Sequence, residues 1–248
     1  MADRPADSLR PLTITPDYTN APLASVLISC GETRVLCTTS VEERVPAFRL
    51  ASGGGWLTAE YSMLPGATPR RTRRAASRGK LDGRSTEIQR LIGRSIRAAF
   101  DLDKIGPRTL TVDCDVLQAD GGTRTAAITG GYASARLAVE RLIASGMASP
   151  DAIGLGIAAV SVGVIRGVPT LDLDYVLDSS ADVDMNVVMD ERDSLIEIQG
   201  TAEKASFSRS ELAQLLDLAE SGIGTLRKAQ LEAIQRGLAA RPDATGKL

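Results

Sequence analysis

The stretch from Thr109 to Val116 alternates strictly, with Leu110, Val112, Cys114 and Val116 on one face and Thr111, Asp113 and Asp115 on the other. It leads directly into Asp120-Gly121-Gly122-Thr123-Arg124-Thr125. That alternation is the period of a half-buried strand. Beyond the glycine pair, Tyr132, Ala135, Val139, Leu142 and Ile143 recur near helical spacing, so the chain commits here to strand, tight turn and helix. The turn has the parts of a phosphate cradle: adjacent glycines let backbone N–H groups approach an anion, threonine hydroxyls donate, and Arg124 supplies a permanently charged fork. A helix N-terminus adds unpaired N–H groups and the positive end of the macrodipole. The same glycine pair also suits an ordinary strand-to-helix turn.

A chain of 248 residues can build one α/β unit or two closely joined halves. Ala24 to Cys30 and Thr33 to Val41 read as a hairpin about Gly31-Glu32, and Ile157 to Ile165 with Pro169 to Leu177 repeats the pattern about Arg166-Gly167-Val168. Two similar β/α halves follow from that repetition, and the lack of strict βαβ alternation disfavours a doubly wound Rossmann sheet. Glu87 to Phe100 reads as a helix with Ile88, Leu91, Ile92, Ile96 and Ala99 on its apolar face, Arg90, Arg94 and Arg97 opposite, and Thr86 to Gln89 as a capping box. Ser208, with Glu211 three residues on, starts a helix that Gly222 and Gly224 are expected to interrupt before a last helix through Leu226 to Ile234. Residues 1–9 and 239–248 lack an apolar period and are expected to be mobile, leaving 10–238 as the folded domain.

The chain contains no histidine, which excludes every mechanism built on an imidazole base. Cys30, Cys37 and Cys114 lack paired metal-ligand spacing and read as buried reduced thiols. No leader pattern is present, and the longest mostly apolar stretch, Ile153 to Ile165, is too short and glycine-rich to span a bilayer. The expectation is a soluble cytoplasmic protein with no membrane partner.

Two constellations could carry chemistry. Asp178, Asp182 and Asp184 follow the alternating Leu171-Asp172-Leu173-Asp174-Tyr175 and precede Asn186-Val187-Val188-Met189. Carboxylates at a strand end suit a magnesium ion that shares its remaining positions with water and phosphate oxygens; a solvated acidic turn is the plainer alternative. Asp172 and Asp174 read as one polar sheet face. The run Pro69 to Lys80 holds six cations and no acid in a chain of net charge −2. It fits phosphate-backbone contacts or a solvated loop. With 3% aromatic residues, an extended base-stacking platform is not expected. Arg84 can donate to an anion or pair with Glu87.

Taken together, the residues resemble bacterial ribonuclease PH, a phosphorolytic exoribonuclease family related to polynucleotide phosphorylase and the exosome ring subunits. The resemblance runs through Arg10-Pro11, Gly31 to Thr38, Gly55 to Tyr61, Gly83 to Arg94, Cys114 to Thr125, Asp184 to Met189 and Ile198 to Glu203. It implies the α/β (α+β) ribonuclease PH fold, two β/α halves of the ribosomal-protein-S5-domain-2-like type, assembled as a homohexamer that is a trimer of dimers. It places the phosphate site on Arg84, Gly122, Thr123 and Arg124, with Arg124 also catalytic. The catalytic and magnesium-binding acids fall on Asp178 and Asp184, and the RNA-contacting arginines on Arg71 and Arg74. Gly66 stands where many members have arginine, and Pro22-Leu23-Ala24 departs from the acidic residue and glycine common before the first strand. The implied reaction trims the 3′ ends of tRNA precursors and other RNA, with inorganic phosphate as co-substrate and nucleoside diphosphates as products. A catalytically silent RNA-binding ring subunit and an enzyme acting on a small phosphorylated metabolite are the alternatives.

Overall fold

The computed structural model describes residues 4–74, 83–204 and 206–243. The first half contains β1 (Leu12–Pro16), β2 (Ala24–Cys30), β3 (Thr33–Glu42), β4 (Trp56–Met63), α1 (Gly83–Arg97), β5 (Thr109–Gln118) and α2 (Thr123–Ala144). The second contains β6 (Ile157–Ile165), β7 (Val168–Leu171), α3 (Tyr175–Ser180), β8 (Val183–Asp190), β9 (Leu195–Ala202) and α4 (Arg209–Ala240). The strands form two sheets, ordered β1-β2-β3-β5-β4 and β7-β6-β8-β9. All pairings are antiparallel except β4 with β5, which α1 connects as a crossover. The strand–turn–helix reading at Thr109 and both hairpins are present.

The two sheets share a helical layer. Helix α2 packs on β2, β3 and β5 of the first sheet and on β6 of the second, while α4 packs on α2, β1, β6 and β7. Because α2 is covered on nearly every side, it is rich in Ala and Gly and carries no clean polar stripe. Its one fully buried charge, Arg141, donates to both carboxylate oxygens of Asp17 at 2.9 and 2.6 Å and to the carbonyls of Leu23, Gly237 and Arg241. Each guanidinium nitrogen thus has an acceptor, as a buried ion requires.

Several local expectations are corrected. Helix α4 is continuous through Gly222 and Gly224, because a Cβ on Gly222 would stand 2.8 Å from Leu171 Cδ1 and the glycine is what lets helix and sheet approach. Its start is as read: Ser208 and Glu211 form a reciprocal capping box. Helix α1 begins at Gly83, so Thr86 lies inside its first turn and is not its cap. Strand β7 ends at Leu171, and the expected alternation through Tyr175 gives way to a turn and α3. Asp172, at φ +54°, is buried against Arg10, and Asp174 caps α3 by accepting the Leu177 N–H. Of the segments expected to be mobile, residues 1–3 and 244–248 lie outside the described residues, and the described parts make specific contacts. The Arg4 guanidinium donates to the carbonyls of Leu171 and Asp172, Ala6 accepts the Leu171 N–H, and Arg241 reaches Asp17 and the Leu23 carbonyl. The polar side chains of these segments anchor them where apolar ones do not.

Cys37 and Cys114 are buried and Cys30 half-buried, all as free thiols, and burial pushes Cys30 up to about 12. Among the described residues no helix is long and apolar enough to cross a membrane.

Arg10 and Asp172 are 7% and 8% exposed and meet through three hydrogen bonds of 2.7 to 3.0 Å. Removing one partner leaves an uncompensated buried charge, so Asp172→Ala is expected to cost about 3–5 kcal/mol. Urea denaturation followed by circular dichroism measures the loss.

Candidate functional site

The Gly-rich turn sits where the first sheet hands the chain to α2. Gly121 and Gly122 have φ of +72° and +62°, conformations that side chains resist. A Cβ on Gly121 would lie 2.5 Å from the Leu173 carbonyl oxygen and 2.8 Å from the Tyr175 nitrogen, so the turn is pressed against the backbone that starts α3. Thr33 pins it from the first sheet, its hydroxyl donating to the Gly121 carbonyl at 2.7 Å and accepting the Asp120 N–H at 2.9 Å. Arg10 adds a bond to the Asp120 carbonyl. Gly122 is the N-cap of α2 and offers no side chain to it. The first helical bond is Ala126 N–H to the Gly122 carbonyl, which leaves the N–H groups ahead of it without helical acceptors.

Around this turn opens a cleft of about 1090 Å³. Its lining brings together Arg84 from the first turn of α1, Gly122, Thr123 and Arg124 from the cradle, Asp178 from α3 and Asp184 from β8. All six positions expected for the phosphate and acidic sites therefore share one cavity. Tyr61 and Thr123 exchange a hydrogen bond of 2.8 Å between their hydroxyls, and Gln199 accepts from Arg124 at 3.3 Å while donating toward Glu87 and Glu197. These neighbours steady the two side chains that face the cradle.

The electrostatics divide the cleft. Burial raises Asp178, against the pull of Arg124 and Arg84. Asp184 rises to about 6 because it is buried and because Asp178 lies near it, again against the two arginines. The cations are close enough to act on the acids, yet no ion pair within 4 Å joins them among the described residues. Asp182 does not complete an acidic triplet: it pairs with Lys204 at 3.3 Å, and among the described residues no group of three acids is placed to hold a metal. Asp178 and Asp184 remain as the neighbouring pair, with Glu203 near enough to raise both. That donor set fits magnesium, which commonly takes one or two carboxylates and fills its other positions with water and substrate phosphate.

The basic run is described only through Arg74; residues 75–82, with Arg78 and Lys80, lie outside the described residues. Arg71 and Arg74 are exposed and do not line the cleft. The root of their loop does: Thr68 lines it, and Ala67 accepts the Ala119 N–H at 2.8 Å, one residue before the cradle. A Cβ on Gly66 would meet nothing within 4 Å, so packing does not require glycine there.

A family model described as 3′ exoribonuclease family, domain 1, matches residues 8–138, and the model for domain 2 of the same family matches residues 157–222. The chain belongs to the 3′ exoribonuclease family. Its ribonuclease PH fold is shared with solved structures at low identity. Rice (Oryza sativa) Rrp46 is 14% identical with a TM-score of 0.74, covering 94% of this chain and 99% of that one. An Archaeoglobus fulgidus exosome with RNA bound to the active site is 19% identical with a TM-score of 0.73, covering 91% and 90%. An archaeal exosome core is 17% identical with a TM-score of 0.68, covering 93% and 89%. The two family domains coincide with the two sheets, and the cleft of this 3′ exoribonuclease family member lies where they meet.

The raised Asp184 has a measurable consequence. Its folded value of about 6 exceeds the 3.8 of a free aspartate, so its contribution to stability is full below about pH 4 and is lost as pH rises through 6. In EDTA, Asp184→Asn is expected to raise the melting temperature at pH 7.5 relative to the parent and to change it little at pH 4. Thermal melts across that range decide it.

Proposed function

We propose that this chain is a phosphorolytic 3′-to-5′ exoribonuclease that trims the 3′ ends of tRNA precursors, working in the cytoplasm as a homohexamer. The observation that carries the reading is that one cleft gathers a helix N-terminus without a side-chain cap, Arg84 and Arg124, and the raised carboxyls of Asp178 and Asp184. The likeness to archaeal exosome structures supports an assembly of several subunits, and the RNA bound at the active site of the Archaeoglobus fulgidus exosome supports the substrate class.

Phosphate is already anionic near neutral pH, so it needs no strong base to attack, which agrees with a chain that has no histidine. The protein's task is to hold two mutually repelling anions in line. Arg84, Thr123, Arg124 and the free amides of the cradle would clamp inorganic phosphate. One of its oxygens attacks the last phosphodiester, the bond to the 3′ oxygen of the penultimate nucleotide breaks, and a nucleoside diphosphate leaves a chain shorter by one. Arg124 lies near the acids as well as the cradle, where it can neutralise charge that builds on both phosphates. Asp178 and Asp184 would hold magnesium, which when bound supplies positive charge to the scissile phosphate and the leaving oxygen. Burial raises both Asp178 and Asp184, so one of the two acids would instead donate a proton to that oxygen when no cation is bound. Arg71 and Arg74 would grip the RNA backbone further from the cut.

The likeness to archaeal exosome structures supports one second reading, a catalytically silent ring subunit that binds RNA without cutting it. Phosphorolysis of an RNA with an extended 3′ end separates the two. Arg124→Ala is expected to lower turnover at limiting phosphate by at least about two orders of magnitude while RNA binding holds; near-normal turnover would remove Arg124 from the site. Replacing Arg71 and Arg74 by Ala is expected to weaken RNA binding and to flatten its dependence on salt, read by anisotropy at several ionic strengths.

A further inference from the structure

We infer that Tyr175 is the stacking platform for the nucleobase at the RNA 3′ end, an inference that rests on the reading of this cleft as the place where RNA is shortened. Three Phe, four Tyr and one Trp are all the aromatic residues the chain has. Among the described residues Tyr175 is the one that lines the cleft, together with Asp178, Asp184, Arg84 and Arg124.

Its backbone and its ring are treated in opposite ways. The backbone is locked: its N–H points to Asp120 Oδ1 at 3.4 Å, the preceding Asp174 caps the short helix it begins, and Gly121 is packed against its nitrogen. The ring is free. Tyr175 is 64% exposed, and among the described residues its ring meets no other ring or cation and its hydroxyl makes no hydrogen bond. By contrast, Tyr61 and Tyr132 are 4% exposed with bonded hydroxyls, and the Trp56 ring is held by Phe48 and Arg97. A large flat side chain held out over a polar cleft by a rigid backbone is the arrangement that binds a base face. Ile198, 40% exposed, adds apolar surface to the same cleft.

Stacking also suits the chemistry. Every base has a π-face, so a single platform can seat each new 3′ end whatever its sequence, which stepwise trimming requires. The platform fixes the terminal nucleotide while the cradle and the arginines hold the phosphates. It serves one nucleotide, which is consistent with the scarcity of aromatic residues elsewhere in the chain.

The test uses the full-length protein and an oligoribonucleotide with 2-aminopurine at its 3′ terminus, in phosphate-free buffer. Stacking quenches the fluorescence of that base. The parent protein and Tyr175→Phe are expected to quench it, and Tyr175→Ala to lose the quenching. In phosphorolysis the Ala variant should raise KM for RNA by about 5- to 150-fold, the span of one base–aromatic stack, with KM for phosphate unchanged. Unaltered quenching in Tyr175→Ala, a Phe variant as impaired as Ala, or a smaller assembled mass in Tyr175→Ala would overturn the assignment. The parent reading fails separately. Quenching by a parent protein that releases no nucleoside diphosphate supports the platform and contradicts phosphorolysis, whereas normal phosphorolysis without quenching overturns the platform alone.

Discussion

The buried pair between Arg10 and Asp172 holds the working parts of this protein in register. Arg10 precedes β1 in the first half, and Asp172 follows β7 in the second. From the same guanidinium a further hydrogen bond reaches the carbonyl of Asp120, at the start of the glycine turn. One charge pair therefore ties both halves to the cradle. Such a pair is costly to desolvate, and its worth lies in geometry: three segments distant in sequence can satisfy it in one arrangement. Once it forms, Leu173 to Tyr175 lie against Gly121, and α3 carries Asp178 to the wall of the cleft that faces Arg124.

That arrangement keeps opposite charges near each other without letting them collapse into ion pairs. Arg84 belongs to α1, Arg124 to α2, Asp178 to α3 and Asp184 to β8, so each position is set by a different packed element. Burial raises both acids, Asp178 adds its repulsion to Asp184 and Glu203 acts on each, and together these outweigh the arginines. Space between fixed charges of opposite sign is what the proposed pair of phosphates and a hard cation would require. Elsewhere the same chain pairs its charges directly, as Arg94 does with Glu197 and Arg141 with Asp17.

Much of this was legible in the sequence wherever a local period or a turn signal governs the outcome. The alternation from Thr109, the glycine pair and the helix beyond it specify strand, turn and α2, and the Ser208–Glu211 box starts α4 as read. The glycine turn, the acids at the strand end and Arg84 were readable as residues, the resemblance gave the six positions their roles, and the fold places them together. What the sequence hid depends on partners far along the chain. Gly222 looks like a helix breaker until Leu171 is seen beside it, and Asp172 and Asp174 have the spacing of a sheet face although one is a buried ion and the other a cap. Thr33 left a faint signal, a hydroxyl in phase with the buried Val35 and Cys37, and its bonds to the turn explain it. Arg10 entered only as part of the resemblance, and its role was hidden because its partner is 162 residues away.

The central claim is that phosphate, and not water, is the nucleophile held by the glycine turn. The most direct measurement supplies radiolabelled inorganic phosphate with magnesium and an RNA bearing an extended 3′ end, and identifies the mononucleotide released. Label in the β position of a nucleoside diphosphate, with none recovered by Arg124→Ala at limiting phosphate, is the predicted result. Unlabelled nucleoside monophosphate, or intact RNA beside normal RNA binding, would contradict the account.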